Sequence, residues 1–290
     1  MTFQKIREKT VETLVRASGM ASIVIVALIF VFLLKEGAGL FRTHGVPSFL
    51  FGNQWYPISE PPRLGILPLI LGSLLVTFGA AAISIPLGVA AAIYIAEVAP
   101  SSLKEFLKSG VEILAAIPSV VLGFVGLATV VPWMKQLFGL PTGLTALSGS
   151  VVLAFMAMPT IVSIAEDALH SVPRSYKEGA YALGATHWQT IHRVVLPAAS
   201  PGIVAAVMLG IGRVIGETMA VMMITGNAAS IPRGFLHPVR TLTATIAAEM
   251  GETVQGSDHY FALFAIGIVL FVITFLINMT ADFFLHRRAR

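Results

Sequence analysis

Two charges stand four residues apart in a stretch that otherwise has none. They are Arg213 and Glu217, in the run GIGRVIGETMAVMMITGN from Gly210 to Asn227. On one continuous helix that spacing puts both side chains on one face, where they can pair. A guanidinium also holds an oxyanion through two parallel hydrogen bonds. Glu217 would then loosen the grip, and a conducting site must release what it binds. Tie between helices or path for an anion: the residues leave both open. A second polar cluster is the segment HSVPRSYKEGAYALGATHWQTIHRVVLP, residues 170–197. Pro173 suits the start of a helix, where its missing N–H is no loss. Gly184 suits a helix stop that needs positive φ. The segment predicts a short helix over 175–183 and a second over 185–195, both outside the membrane. Such a helix–turn–helix suits a docking element better than a slack loop. His187 and His192 lie five apart, which fits a solvated face better than a metal site. No nucleophile and base are paired by spacing. There is no G-x-x-x-x-G-K-[ST] loop, nor even a Gly-Lys step, so the chain lacks that route to ATP.

The elements that carry these residues are membrane spans. Apolar residues make up 56% of the 290 and charged residues 12%, about half the charge of a soluble domain. Runs free of Asp, Glu, Lys and Arg cover 17–34, 64–96, 113–134, 136–165, 194–212 with 218–232, and 259–281. Each can hold one helix of about 20 residues. The 64–96 run reads as a single long helix bent at Pro86. The turn signal Leu140-Pro141-Thr142-Gly143 puts the start of the fourth span near Ala146. Joined across their two charges, the fifth pair of runs reads as one helix from Ala198 to Thr225. The expectation is an all-α polytopic protein with six spans. Gly72, Gly79 and Gly88 mark close helix contacts.

Basic residues predict the orientation. With the N-terminus inside, twelve Lys and Arg fall on the inner side and six on the outer, which puts both termini in the cytoplasm. The first apolar run is too long for a signal core and reads as a retained span. Residues 1–16 read as an amphipathic helix lying flat on the inner surface, Phe3, Ile6 and Leu14 against Lys5, Glu8, Lys9 and Glu12. The proline-rich segment 35–63 is expected outside, with Trp55 and Tyr56 at the interface. Glu166 and Asp167 are expected at the inner interface. Residues 1–63 thus form an N-terminal unit, and 64–290 a five-span core that includes the loop 170–197. The absence of cysteine excludes disulfides and thiolate metal sites.

Within that loop, Glu178-Gly179-Ala180, Gly184 six residues after Glu178, and Val194-x-Leu196-Pro197 resemble the EAA motif of ABC importer permeases. Gly179 departs from the usual Ala, a small-for-small change. The resemblance implies a type I ABC importer permease fold and a loop that seats in a groove of an ATPase subunit. Its docking residues would be Glu178, Gly179, Ala180, Gly184, Leu196 and Pro197. From 170 onward, and across most of 65–290, the chain is similar to the PstC-type permeases of phosphate importers, with Met219-Ala220-Val221 after Gly-Glu-Thr. That implies Arg213 and Glu217 on a phosphate path in a bacterial cytoplasmic (inner) membrane protein. It also implies four partners: a PstA-type second permease, two ATPase subunits, an external phosphate-binding protein and the lipid bilayer. No cofactor, metal, nucleic acid or catalytic residue is implied. Sulfate or molybdate remains an alternative cargo. An ion-coupled secondary transporter is the rival from another class, and it would leave the docking loop idle.

Overall fold

The computed structural model of the chain describes residues 3–288, with side chains over 8–280. Six of its helices are long and apolar enough to cross a membrane. Helix α1 (Phe3–Gly37) is the first. A cap follows, made of α2 (Val46–Phe51) and a two-stranded antiparallel ribbon, β1 (Trp55–Tyr56) with β2 (Arg63–Leu64). The second span is α3 (Leu67–Ile93), extended by a π turn over Tyr94–Val98. Next come α4 (Ser101–Ala116), α5 (Ser119–Phe138) and α6 (Ala146–His170), of which α5 and α6 span. The loop helices are α7 (Arg174–Ala182) and α8 (His187–Thr190). A π turn over Ile191–Val195 runs α8 directly into α9 (Leu196–Gly216). Short α10 (Met219–Ile224) and α11 (Leu242–Glu249) precede the last span, α12 (Asp258–Arg288).

Helix α6 is the axis, packed against α3, α4, α5 and α9. Lipid is as apolar as a leucine side chain, so spans associate through close packing of small residues. Gly79 and Gly88 show this. A Cβ on Gly79 would overlap the Ser150 hydroxyl, and one on Gly88 would come within 2.9 Å of Ile161. Gly72 likewise has the Arg240 carbonyl against it. The central core gathers Val76, Leu153, Ile161, Val214 and Ile224. Beneath the cap lies a second core with Leu40, Phe49, Trp55, Leu242 and Leu263. A third, with Ile95, Leu169, Val172 and Val195, sits at the end that carries the α7 loop. Helix α1 runs along α12 at the edge of the bundle, with Phe30 on Phe271 and Phe32 on Phe264.

The expected span count and the start at Ala146 match the structure. Several local readings are corrected. The N-terminal stretch is not a separate surface helix. With no proline between Phe3 and Gly37, α1 continues unbroken into the first span, and the Phe3 and Ile6 side chains lie outside the described ones. Residues 113–116 belong to α4, because Pro118 separates it from α5. The segment 185–195 is not a free second loop helix, since it flows into the fifth span. Trp55 is 2% exposed beneath the cap and does not face the interface. Glu166 is also buried, because Lys104 and Lys108 of α4 reach it at 3.2 and 2.8 Å. That hydrogen bond holds the Lys108 ammonium above the usual lysine range, against the desolvation that lowers it.

Candidate functional site

The fifth span is interrupted where the sequence predicts continuity. Helix α9 stops at Gly216, Glu217 is extended with φ −68° and ψ 131°, and α10 starts at Met219. Arg213 and Glu217 therefore do not share a helix face, and neither takes part in an ion pair among the described residues. The pairing that their spacing allows is absent, because it needs a continuous helix. The Glu217 carboxylate instead accepts the Ala220 N–H at 3.2 Å, at the start of α10. The Glu217 carbonyl accepts the Thr243 hydroxyl at 2.9 Å, and the Thr218 hydroxyl donates to the Gly216 carbonyl at 3.1 Å. Irregular backbone at membrane depth persists only where such partners satisfy it.

Thr243 arrives on α11, a helix too short to span. It is tucked between α3, α10 and α12, with Leu242, Thr243, Ala244 and Thr245 buried. Thr241 caps it at the Ala244 N–H, and the Leu242 N–H donates to the Ser73 hydroxyl at 2.9 Å. In the sequence this segment falls between the charge-free runs 218–232 and 259–281. Its far end, Glu249, forms a hub. The Glu249 carboxylate meets Arg240 at 2.6 Å and His259 at 2.8 Å, and accepts the Trp55 indole N–H at 3.1 Å.

Arg213 lies on the exposed face of the chain. Its closest recorded partner is the Thr160 hydroxyl, which accepts from Nη1 at 3.5 Å. Thr160 is fourteen residues into α6 and ten from its end. The guanidinium therefore sits beside the middle of α6, in the last turn of α9 and about 24 Å along the helix from Pro197 at 1.5 Å per residue. A cation facing lipid at that depth costs about 2.5–3.5 kcal/mol. Arg213 of α9 and Thr160 of α6 lie side by side, and a charge within a span ordinarily faces the bundle interior or a water-filled cavity. Chemically Arg213 offers one cationic fork with its hydrogen-bonding capacity largely free.

At the other candidate site, Gly184 adopts φ +81°. The Ala185 N–H returns to the Ala180 carbonyl at 3.1 Å and the Gly184 N–H to the Tyr181 carbonyl at 2.9 Å. This Schellman arrangement closes α7 as the sequence predicts. Ala180 is buried, Glu178 and Gly179 are exposed, and α7 packs on the π turn that leads to Leu196 and Pro197. Pro197 is the second residue of α9, directly after the π turn Ile191–Val195. Large apolar side chains project from this polar loop: Leu183 is 91% exposed, Trp188 65% and Tyr176 55%. Exposed apolar side chains grouped in this way are the kind of patch that marks an interaction site.

Residues 84–290 match the family described as "Binding-protein-dependent transport system inner membrane component". The "Probable ABC transporter permease protein YqgH" of Bacillus subtilis (strain 168) is 42% identical over 277 residues, covering 95% of this chain and 90% of that one. The "Phosphate transport system permease protein PstC" of Mesorhizobium japonicum is 38% identical, covering 83% and 78%. Among solved structures, a permease chain of the inward-facing MetNI methionine ABC transporter overlays with TM-score 0.61 at 22% identity, covering 80% of this chain and 100% of that one. A chain of a bacterial alginate ABC transporter in complex with its periplasmic protein gives 0.66 at 18%, covering 97% and 96%. At those identities the overlays establish the fold, that of type I importer permeases. The fold, the six spans and the family match converge: this chain belongs to the inner-membrane components of binding-protein-dependent transport systems, the multi-pass permeases of ABC importers.

Proposed function

We propose that the chain is the PstC-type permease subunit of an ATP-driven importer that moves inorganic phosphate across the cytoplasmic membrane. The observation that carries the reading is Arg213: a guanidinium near mid-span, on an exposed face, with no ion-pair partner among the described residues. Phosphate offers that planar group two oxygens for a bidentate pair of hydrogen bonds. The relative from Mesorhizobium japonicum named as a phosphate permease supports the choice of cargo. A PstA-type permease would cover the Arg213 face and complete the passage. The chain itself would be non-catalytic. Of two ATPase subunits, one would dock on α7 through Glu178, Gly179, Ala180 and the projecting Leu183 and the other on the second permease, and an external phosphate-binding protein would deliver the anion at the opposite rim. Closure of the ATPase dimer would draw the docking loops together and tilt the spans outward, a rigid-body transition. The basic residues support both termini in the cytoplasm.

The test is uptake in proteoliposomes holding both permeases, the ATPase subunits and the binding protein. ATP-dependent accumulation of phosphate, unaffected by excess sulfate or molybdate, is expected. Uptake of sulfate in preference to phosphate would overturn the cargo, and uptake without the ATPase subunits would overturn the class. Reporter fusions at residues 55, 140 and 255 should report outside, and those at 105 and 185 inside.

A further inference from the structure

Glu97 ends the 33-residue charge-free run of the second span, and it sits in the π turn Tyr94–Val98. Its side chain is only 6% exposed, yet it lies at the surface where the docking loop attaches. Both carboxylate oxygens accept from the Lys177 ammonium, at 2.7 and 2.9 Å. Lys177 belongs to α7 and directly precedes Glu178. The backbone of Glu97 is engaged as well. The turn closes through the Ala99 N–H on the Tyr94 carbonyl at 2.8 Å. Carbonyls in the last turn of a helix have no partner along the helix itself, and that of Glu97 is met by His187 Nε2 at 3.2 Å. A carbonyl only accepts, so Nε2 is the donor, and Nδ1 accepts the Tyr181 hydroxyl at 2.9 Å. One residue at the end of the second span thus holds both limbs of the loop. Its carboxylate holds α7, and its carbonyl holds α8.

We infer that Glu97 is the positioning residue through which movement of the docking loop reaches the transport path. The inference rests on the reading of α7 as the ATPase-docking element. From Glu97 the contacts continue inward. Helix α3 lies along α6, and its Gly88 backs onto Ile161. Gly210 of α9 meets the same Ile161 side chain from another helix. Ile161 is therefore wedged between the second and fifth spans, and its chain neighbour Thr160 touches Arg213. A shift of the second span at Glu97 presses on that wedge. The carboxylate is buried and the ammonium mostly so, which leaves the tie less screened by salt than a surface pair. Its two bonds hold Lys177, and with it α7, close to the end of the second span. The nearby Glu166 cluster has no such reach, because it ties α6 to α4, which carries no docking residue.

The experiment uses the complete reconstituted transporter and reads two quantities: ATP hydrolysed per phosphate imported, and the amount of ATPase subunit that co-purifies. Glu97→Gln keeps the backbone carbonyl and loses the charge. It should co-purify its ATPases normally and hydrolyse ATP, while the ATP spent per phosphate rises at least 10-fold. Lys177→Met should do the same, and the two together should be no worse than either. Lys177→Arg should stay within 2-fold of wild type, and the exchange Glu97→Lys with Lys177→Glu should recover at least half of the coupling. A wild-type ratio in Glu97→Gln would overturn the inference. So would a parallel fall of hydrolysis and uptake at constant ratio, which marks a structural tie only. Loss of ATPase co-purification would also overturn it, because the pair would then shape the docking surface alone. Cross-linking of Leu183→Cys to the ATPase subunit in the otherwise native complex checks the docking reading separately. Its failure removes that reading and this inference together, whereas an unchanged ratio removes only the inference.

Discussion

Glu97, Glu166 and Glu249 lie at the two rims of the bundle, and each is saturated with donors: Lys177; Lys104 and Lys108; Arg240, His259 and Trp55. Arg213 lies between the rims and has only a long hydrogen bond to Thr160. Charge at the rims is spent on holding elements together, and it links segments that are 80, 58 and 194 residues apart. Charge at mid-span is left available, in the place where leaving it so is most costly. On the proposed reading, the difference separates what keeps the fold from what the passage uses. The helix break at Glu217 is what makes it possible, since a continuous fifth helix would have brought Glu217 alongside Arg213.

The sharpest way to break that comparison is Arg213→Gln. If Arg213 is free for cargo, uptake should fall about 10- to 100-fold, the value of one or two charge-assisted hydrogen bonds at about 1.5–3 kcal/mol. Membrane abundance and thermal unfolding in detergent should stay as in wild type. Combining it with Glu217→Gln should not restore uptake, because the two side chains are not partners. A double variant that is abundant and transports normally would return Arg213 to a structural role. Next in size is Glu249→Leu. Removing one member of a buried pair costs about 3–5 kcal/mol when the other is stranded. Arg240 and His259 keep some exposure, 18% and 17%, so about 2–3 kcal/mol is expected here. It should appear as a lower unfolding temperature, with uptake per folded molecule far less affected than in Arg213→Gln.

Gly184 allows a smaller and cleaner test. A Cβ there would meet nothing within 4 Å, so only the backbone conformation at φ +81° resists a side chain. Gly184→Val should cost about 1–2 kcal/mol in that conformation, seen as a 5- to 30-fold weaker hold on the ATPase subunits. Gly184→Asn tolerates positive φ and should retain most of the binding. Equal effects of Val and Asn would show that the loop does not depend on this turn. Smallest is Thr243→Val, which keeps the shape and removes the hydroxyl from the Glu217 carbonyl. A loss of about 0.5–1.5 kcal/mol is expected, read as faster hydrogen exchange at the Ala220 and Met222 amides.

Much of this was legible in the sequence. The spans follow from charge-free runs because lipid excludes charge over a known thickness. The end of α7 follows from Gly184 because few residues adopt positive φ. What was not legible depends on distant partners. Met219–Ile224 reads as a continuation of α9, and nothing local announces the break. It is stabilised by Thr243, 26 residues further on. Helix α4 was missed because Lys104 and Lys108 mark it as loop to a count of charges, although they face Glu166 of another helix. Glu97 was passed over as the residue that ends a run. Its burial comes from α7, which the run does not contain. Helix α11 has eight residues, too few to register against a span of about 20.

That brevity has a consequence for how the protein is made. The insertion machinery admits helices by length and hydrophobicity, and α11 has neither enough of the first nor any continuous extension of the second. It must first reach the far side of the membrane as part of the connection between the fifth and sixth spans. Only when α3, α10 and α12 stand in place can it sink back among them. Thr243 then reaches the open backbone at Glu217. Helix α11 is installed after the elements that hold it, and a newly inserted chain with all six spans across the bilayer is still an unfinished transporter.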